Sequence, residues 1–151
     1  MKRQRQGGFL IAKIHQLSGR ILSRKLRQYG IAINPAQGRI MFVLWQNDGI
    51  PIVELAKKTS LGKSTLTSML DRLESSGYVT RLSCADDRRV VLVKRTEKDK
   101  AFEKLYVRLS EDMTNLFYSG FRKKEIDQFE NYLNRIFDNL VRHEDNINLL
   151  K

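Results

Sequence analysis

The stretch from Lys57 to Arg95, KKTSLGKSTLTSMLDRLESSGYVTRLSCADDRRVVLVKR, limits what this chain can fold into more than any other. Between Lys63 and Ser76 the apolar residues Leu66, Met69, Leu70 and Leu73 follow the i, i+3, i+4, i+7 spacing of one buried helical stripe. The opposite face carries Ser64, Ser68, Asp71 and Ser75, flanked by Thr65, Thr67 and Arg72. Short hydroxyl side chains let a helix come close to base edges and phosphates, whereas a helix that merely meets solvent more often carries Glu and Lys at i, i+4. Gly77 stands where a left-handed C-cap is wanted. Two β-rich runs follow, Tyr78 to Cys84 and Val90 to Lys94, joined by the polar tip Ala85-Asp86-Asp87-Arg88-Arg89.

A helix over 63–76 and a hairpin over 78–95 make a winged helix, the helix suited to a major groove and the arginine tip to a flanking minor groove. Several motifs sit in a telling order. Leu55-Ala56 precedes the turn, Ser64-Thr65-Leu66-Thr67 opens the helix, and Leu70 to Val79 (LDRLESSGYV) carries it into the wing. At the tip, Asp87-Arg88-Arg89 is followed by Val91, Val93 and Thr96. In these motifs the chain resembles the MarR family of winged-helix-turn-helix transcription regulators, and its flanking helices fall where that family has them.

The resemblance implies a mainly α fold with a small β-hairpin wing, as a single domain over 1–151. Its DNA-binding lobe would span 34–96, and its dimerisation layer would come from helices at 9–29 and 97–150. A homodimer would bind a pseudo-palindromic duplex, more as repressor than activator, with its recognition helices ~34–36 Å apart in successive major grooves. Lys63, Ser64, Thr65, Thr67, Ser68 and Arg72 would meet DNA from the helix, and Asp87, Arg88 and Arg89 from the wing, with Asp87 holding Arg89 in place. The resemblance also implies a pocket for a small anionic aromatic effector, for which His15, Arg20, Tyr29 and Arg39 are candidate liners. Arg95 departs from the pattern: the family has an apolar residue there, so inner packing of the second wing strand should be weakened.

Charge agrees with a polyanionic partner. Of the 28 Lys and Arg, nine lie in residues 1–47 with no acid among them, while residues 97–151 hold ten against eleven acids. A basic half and a neutral half imply one face toward nucleic acid or an anionic membrane and another toward something else. A single cysteine rules out an internal disulfide framework and fits a reducing cytosol. The run Phe9 to Ala12 is too short for a secretory signal, and nothing approaches the ~20 apolar residues of a membrane span, so a cytoplasmic protein is expected.

Outside the central stretch the chain reads as helices. Residues 1–8 are a basic arm, either simply solvated or touching phosphates. From Phe9 to Tyr29 two apolar stripes, Leu10-Ile14-Leu17-Ile21 and Leu22-Leu26-Tyr29, require cover from two sides. Asn34-Pro35-Ala36-Gln37 is a capped helix start, Pro51 opens a short helix, and Thr59 to Gly62 is the turn of a helix-turn-helix. Lys57 and Lys58 would be phosphate contacts or ordinary surface lysines. Thr96-Glu97-Lys98-Asp99 resembles a capping box that starts one helix running to about Tyr118, and Gly120 breaks it. A last helix is expected over 123–141, with the tail from Asn146 to Lys151 tucked into a partner or frayed.

No phosphate-loop, dinucleotide, zinc-protease or C-x-x-C motif occurs, and the two histidines are far apart, so no enzyme, metal site or cofactor is expected. Asp86-Asp87 orients arginines rather than binding metal. Cys84 reads as structural, within a strand. Two other classes compete. A protein-docking winged helix would show no salt-dependent duplex binding. A peripheral membrane protein would need an apolar helical face left for lipid, which the two covered stripes of 9–29 do not offer.

Overall fold

The computed structural model describes residues 2–150; Met1 and Lys151, the ends of the expected 1–151 domain, lie outside the described residues. The elements run α1 (Gly7–Gln28), α2 (Pro35–Gln46), β1 (Ile50–Pro51), α3 (Ile52–Thr59), α4 (Lys63–Ser75), β2 (Val79–Ser83), β3 (Val91–Arg95), α5 (Glu97–Lys100), α6 (Glu103–Phe117) and α7 (Lys123–Leu149). The chain forms two compact units, one ending at Ser110 and the other beginning at Glu111.

Local chemistry explains the element ends in the first unit. Asn34 caps α2 through a reciprocal box: its side chain accepts from Gln37 N at 2.8 Å while Gln37 Oε1 accepts from Asn34 N at 2.9 Å. Gly77 ends α4 at φ +84°, where Tyr78 N donates to Leu73 O at 2.9 Å and Gly77 N to Glu74 O at 3.0 Å. That 6→1 and 5→2 pairing turns the chain directly into the wing, and a Cβ at this φ would be strained. Leu66, Leu70 and Leu73 of α4 are buried with Ile40, Met41 and Leu44 of α2, Leu55 of α3, and Val79 and Val93 of the wing. Burying a leucine of this kind contributes ~1.5–3 kcal/mol. Tyr78, also buried, uses its hydroxyl to accept from Ala32 N at 3.0 Å, tying the α1–α2 loop to the start of the wing.

Several element boundaries differ from the expectation. Pro51 does stand at the N-cap of α3, as expected, but it also belongs to a strand: Ile50–Pro51 pairs antiparallel with Leu92–Val93, so the sheet has three strands in the order β1-β3-β2. Proline is tolerated there because β1 is an edge. Helix α1 begins at Gly7, two residues early. Cys84 lies just past β2, half-buried, with its N–H on Val90 O at 2.8 Å, and β3 begins at Val91. The helix expected over 96–118 is broken. Thr96 Oγ1 accepts from Asp99 N at 3.2 Å, but the Asp99 carboxylate faces Arg95 and Tyr106 rather than returning to the cap. A tight Phe102 N to Asp99 O bond of 3.0 Å then separates α5 from α6. Finally, α7 continues to Leu149, because no Gly or Pro follows Gly120 to stop it.

In the second unit Phe117, Tyr118, Phe121 and Phe129 form an aromatic cluster with ring centroids 4.9–6.4 Å apart. Tyr118 Oη donates to Glu130 Oε2 at 2.7 Å. Burial and that carboxylate push the Tyr118 hydroxyl up to about 12. No residue of α7 is buried: Ile136, Phe137, Leu140 and Val141 are exposed, Leu140 by 64%. Among the described residues, no helix is long and apolar enough to cross a membrane.

Candidate nucleic-acid interface

Helix α3, a turn and α4 form the helix-turn-helix. Thr59 secures the turn from inside, with Oγ1 donating to Leu55 O at 2.8 Å, and Ser60 takes the left-handed conformation at φ 57°. The α4 helix then presents Lys63, Ser64, Thr65, Thr67, Ser68 and Arg72 outward, all exposed, while its leucines face the core. The Thr67 hydroxyl is already engaged, donating to Lys63 O at 2.9 Å, so outward it offers lone pairs only. On α3, Lys57 is exposed and Lys58 pairs with Glu54 at 3.8 Å.

At the wing tip Val90 N donates to Asp87 O at 3.0 Å, closing a turn around Arg88 and Arg89. Asp87 grips Arg89 three times: Oδ1 accepts from Arg89 N at 3.0 Å and Nε at 3.1 Å, and Oδ2 from an Nη at 3.1 Å. These bonds hold the Asp87 carboxyl below the usual carboxylate range. Arg88 makes no such bond and points into solvent among the described residues.

Two ion clusters at the base of the wing were not foreseen. Arg81 of β2 reaches back to α4, with one Nη at 2.6 Å from Asp71 Oδ1 and 3.1 Å from Glu74 Oε1, and its backbone N–H on Glu74 Oε2 at 3.1 Å. The side-chain bond from Arg81 lowers the Glu74 carboxyl, and those to Glu74 and Asp71 raise the guanidinium. A signal was there, since strand alternation puts Arg81 on the same side as buried Val79, facing the helix. The second cluster corrects the expectation for Arg95. Its side chain is only 8% exposed, yet it is paired rather than badly packed: Nε donates to Asp99 Oδ2 at 2.5 Å and an Nη to Glu103 Oε2. Asp99, with no exposed surface, also accepts from Tyr106 Oη at 2.8 Å. Acids four and eight residues beyond Arg95 were the available clue.

The four effector candidates are not assembled by any bond. His15 and Arg20 are exposed on α1, Arg39 is exposed on α2, and Tyr29 is half-buried at the end of α1; among the described residues no hydrogen bond or ion pair joins any two of them. No group of three or more His, Cys, Asp or Glu is placed to hold a metal ion among the described residues.

Residues 33–91 match the MarR family, which covers the helix-turn-helix and most of the wing. Over 64 residues the chain is 44% identical to the uncharacterized HTH-type transcriptional regulator YcgE of Bacillus subtilis, and this alignment spans 42% of either protein. Several curated relatives are matched over less than half their length in this way. The structure is similar to that of a cysteine-to-serine mutant of MarR from E. coli complexed with operator DNA, at a TM-score of 0.75 and 32% identity, over 85% of this chain and 91% of that one. With the multiple antibiotic resistance protein MarR of Escherichia coli, the chain shares 31% identity over 130 residues, which is 85% of this chain and 89% of that protein. At that identity, with 85% of this chain and 89% of that protein covered, the chain belongs to the MarR family.

Proposed function

We propose that this protein is a homodimeric, sequence-specific DNA-binding regulator that represses transcription by occupying a pseudo-palindromic operator. One observation carries the reading: α4 buries its leucines and leaves Lys63, Ser64, Thr65, Thr67, Ser68 and Arg72 uncovered on a single lobe that also displays the Asp87-held Arg89. Hydroxyls and an arginine on such a helix match the donor and acceptor pattern of a major groove, and a tip arginine suits the negative potential of a narrow minor groove. The operator-bound relative supports this mode of use. Dimerisation is supported by apolar side chains that each unit leaves exposed, Leu10, Ile14 and Leu17 on α1 and Ile136, Phe137 and Leu140 on α7. A second copy would cover them.

Selection of duplexes from a random library tests this reading directly. The expected product is a palindromic consensus whose affinity falls ~10³–10⁵-fold between 50 and 200 mM salt, as for ~6–10 neutralised phosphates. Recovery of no consensus, with salt-independent retention, would instead favour a protein-docking role.

A further inference from the structure

The outward face of α4 has a defect as a DNA-reading surface. The helix carries Lys63 and Arg72 against Asp71 and Glu74, so its own charge is zero. Asp71 lies on the same stripe as Ser64 and Ser68, and its carboxylate is 60% exposed. Unshielded, it would stand among phosphates, where a like charge weakens association and misdirects the encounter. Arg81 meets both acids at once, from a strand rather than from the helix. Its backbone N–H is committed to Glu74 as well, so the guanidinium is aimed by strand register and not by its own flexible stem.

We infer that Arg81 is a positioning residue for DNA recognition, a counter-ion built into the wing that halves the charge of Asp71 and Glu74 and so lets the hydroxyl stripe of α4 approach the phosphate-lined groove. The same contacts link the base of β2 to the second half of α4, which sets the reach from the helix to the wing tip. The inference rests on the DNA-binding reading and makes demands that a simple phosphate contact by Arg81 would not. A phosphate contact is lost with the arginine and cannot return when acids are removed. A shield becomes unnecessary once there is nothing to shield.

The test compares the wild type, Arg81→Gln, and the triple variant Arg81→Gln/Asp71→Asn/Glu74→Gln on a duplex that the wild type selects from a random library. Thermal unfolding is followed on each variant to confirm a folded sample. Arg81→Gln should weaken binding about tenfold at low salt, with a smaller deficit as salt screens the exposed carboxylates. The triple variant should bind at least as well as wild type, to within about threefold, because the cluster carries −1 in the wild type, −2 in Arg81→Gln and 0 once both acids are neutral. A triple variant that binds no better than Arg81→Gln would overturn the shield, as would an Arg81→Gln protein that is folded and binds like wild type. If the folded wild type selects no duplex, the DNA reading itself falls and this inference with it.

Discussion

At the wing tip, Asp87 converts a flexible arginine into an aimed one. Its two oxygens take the backbone N–H, Nε and an Nη of Arg89, while neighbouring Arg88 is left to solvent. Arg89→Ala should therefore weaken binding roughly tenfold on duplexes with A·T-rich flanks and leave central base preference intact, whereas Arg88→Ala should cost less. Equal small losses on all duplexes would remove the wing from the readout. Because the bonds to Arg89 hold the Asp87 carboxyl below its ordinary 3.8, the grip is complete at neutral pH. It is lost only as pH falls through that lowered value, so wing-dependent affinity should be flat from pH 6 to 8. On α4 the hydroxyls are unequal. Ser64→Ala and Ser68→Ala should shift preference at single base pairs by ~1–3 kcal/mol. Thr67→Ala should shift it less, since its proton is already given to Lys63 O.

Elements show where pattern reading succeeds and where it stops. Leu66, Leu70 and Leu73 predict the buried side of α4, Asn34 and Gln37 the capping box of α2, and Gly77 the turn into the wing, because each depends on neighbours within one or two turns. Arg81 and Arg95 escaped because their partners depend on how a strand lies against a helix, which no local spacing states. Arg95 is the sharper case: an arginine read as a packing fault in β3 proves to be the centre of an ion cluster at the start of α5 and α6. The strand β1 was hidden for the same reason, two residues whose identity as a strand depends wholly on β3. The cluster has a measurable weight. Arg95→Leu leaves Asp99 buried with only the Tyr106 hydroxyl, and should cost ~3–5 kcal/mol in urea unfolding. Arg95→Leu/Asp99→Leu should recover much of that, since a buried pair replaced by apolar groups is often near neutral.

For the whole molecule, the buried apolar core lies entirely in the unit that ends at Ser110, while α7 buries nothing. A 27-residue helix with so much apolar surface in water predicts an obligate dimer. Leu17→Asp or Ile136→Lys should lose dimerisation and folding together in sedimentation and unfolding runs; a folded monomer of wild type at micromolar concentration would count against the layer. One feature of the first unit makes such changes visible without a label. Trp45 is the only tryptophan, its indole N–H is buried without a hydrogen-bond partner among the described residues, and its ring stacks on Tyr106 at 4.2 Å. Tyr106 donates to Asp99, and Asp99 takes Arg95 at the foot of the wing. The chain therefore carries its own optical reporter: a change in tryptophan emission on titration with duplex DNA would signal that the wing strand and α6 have come unfastened.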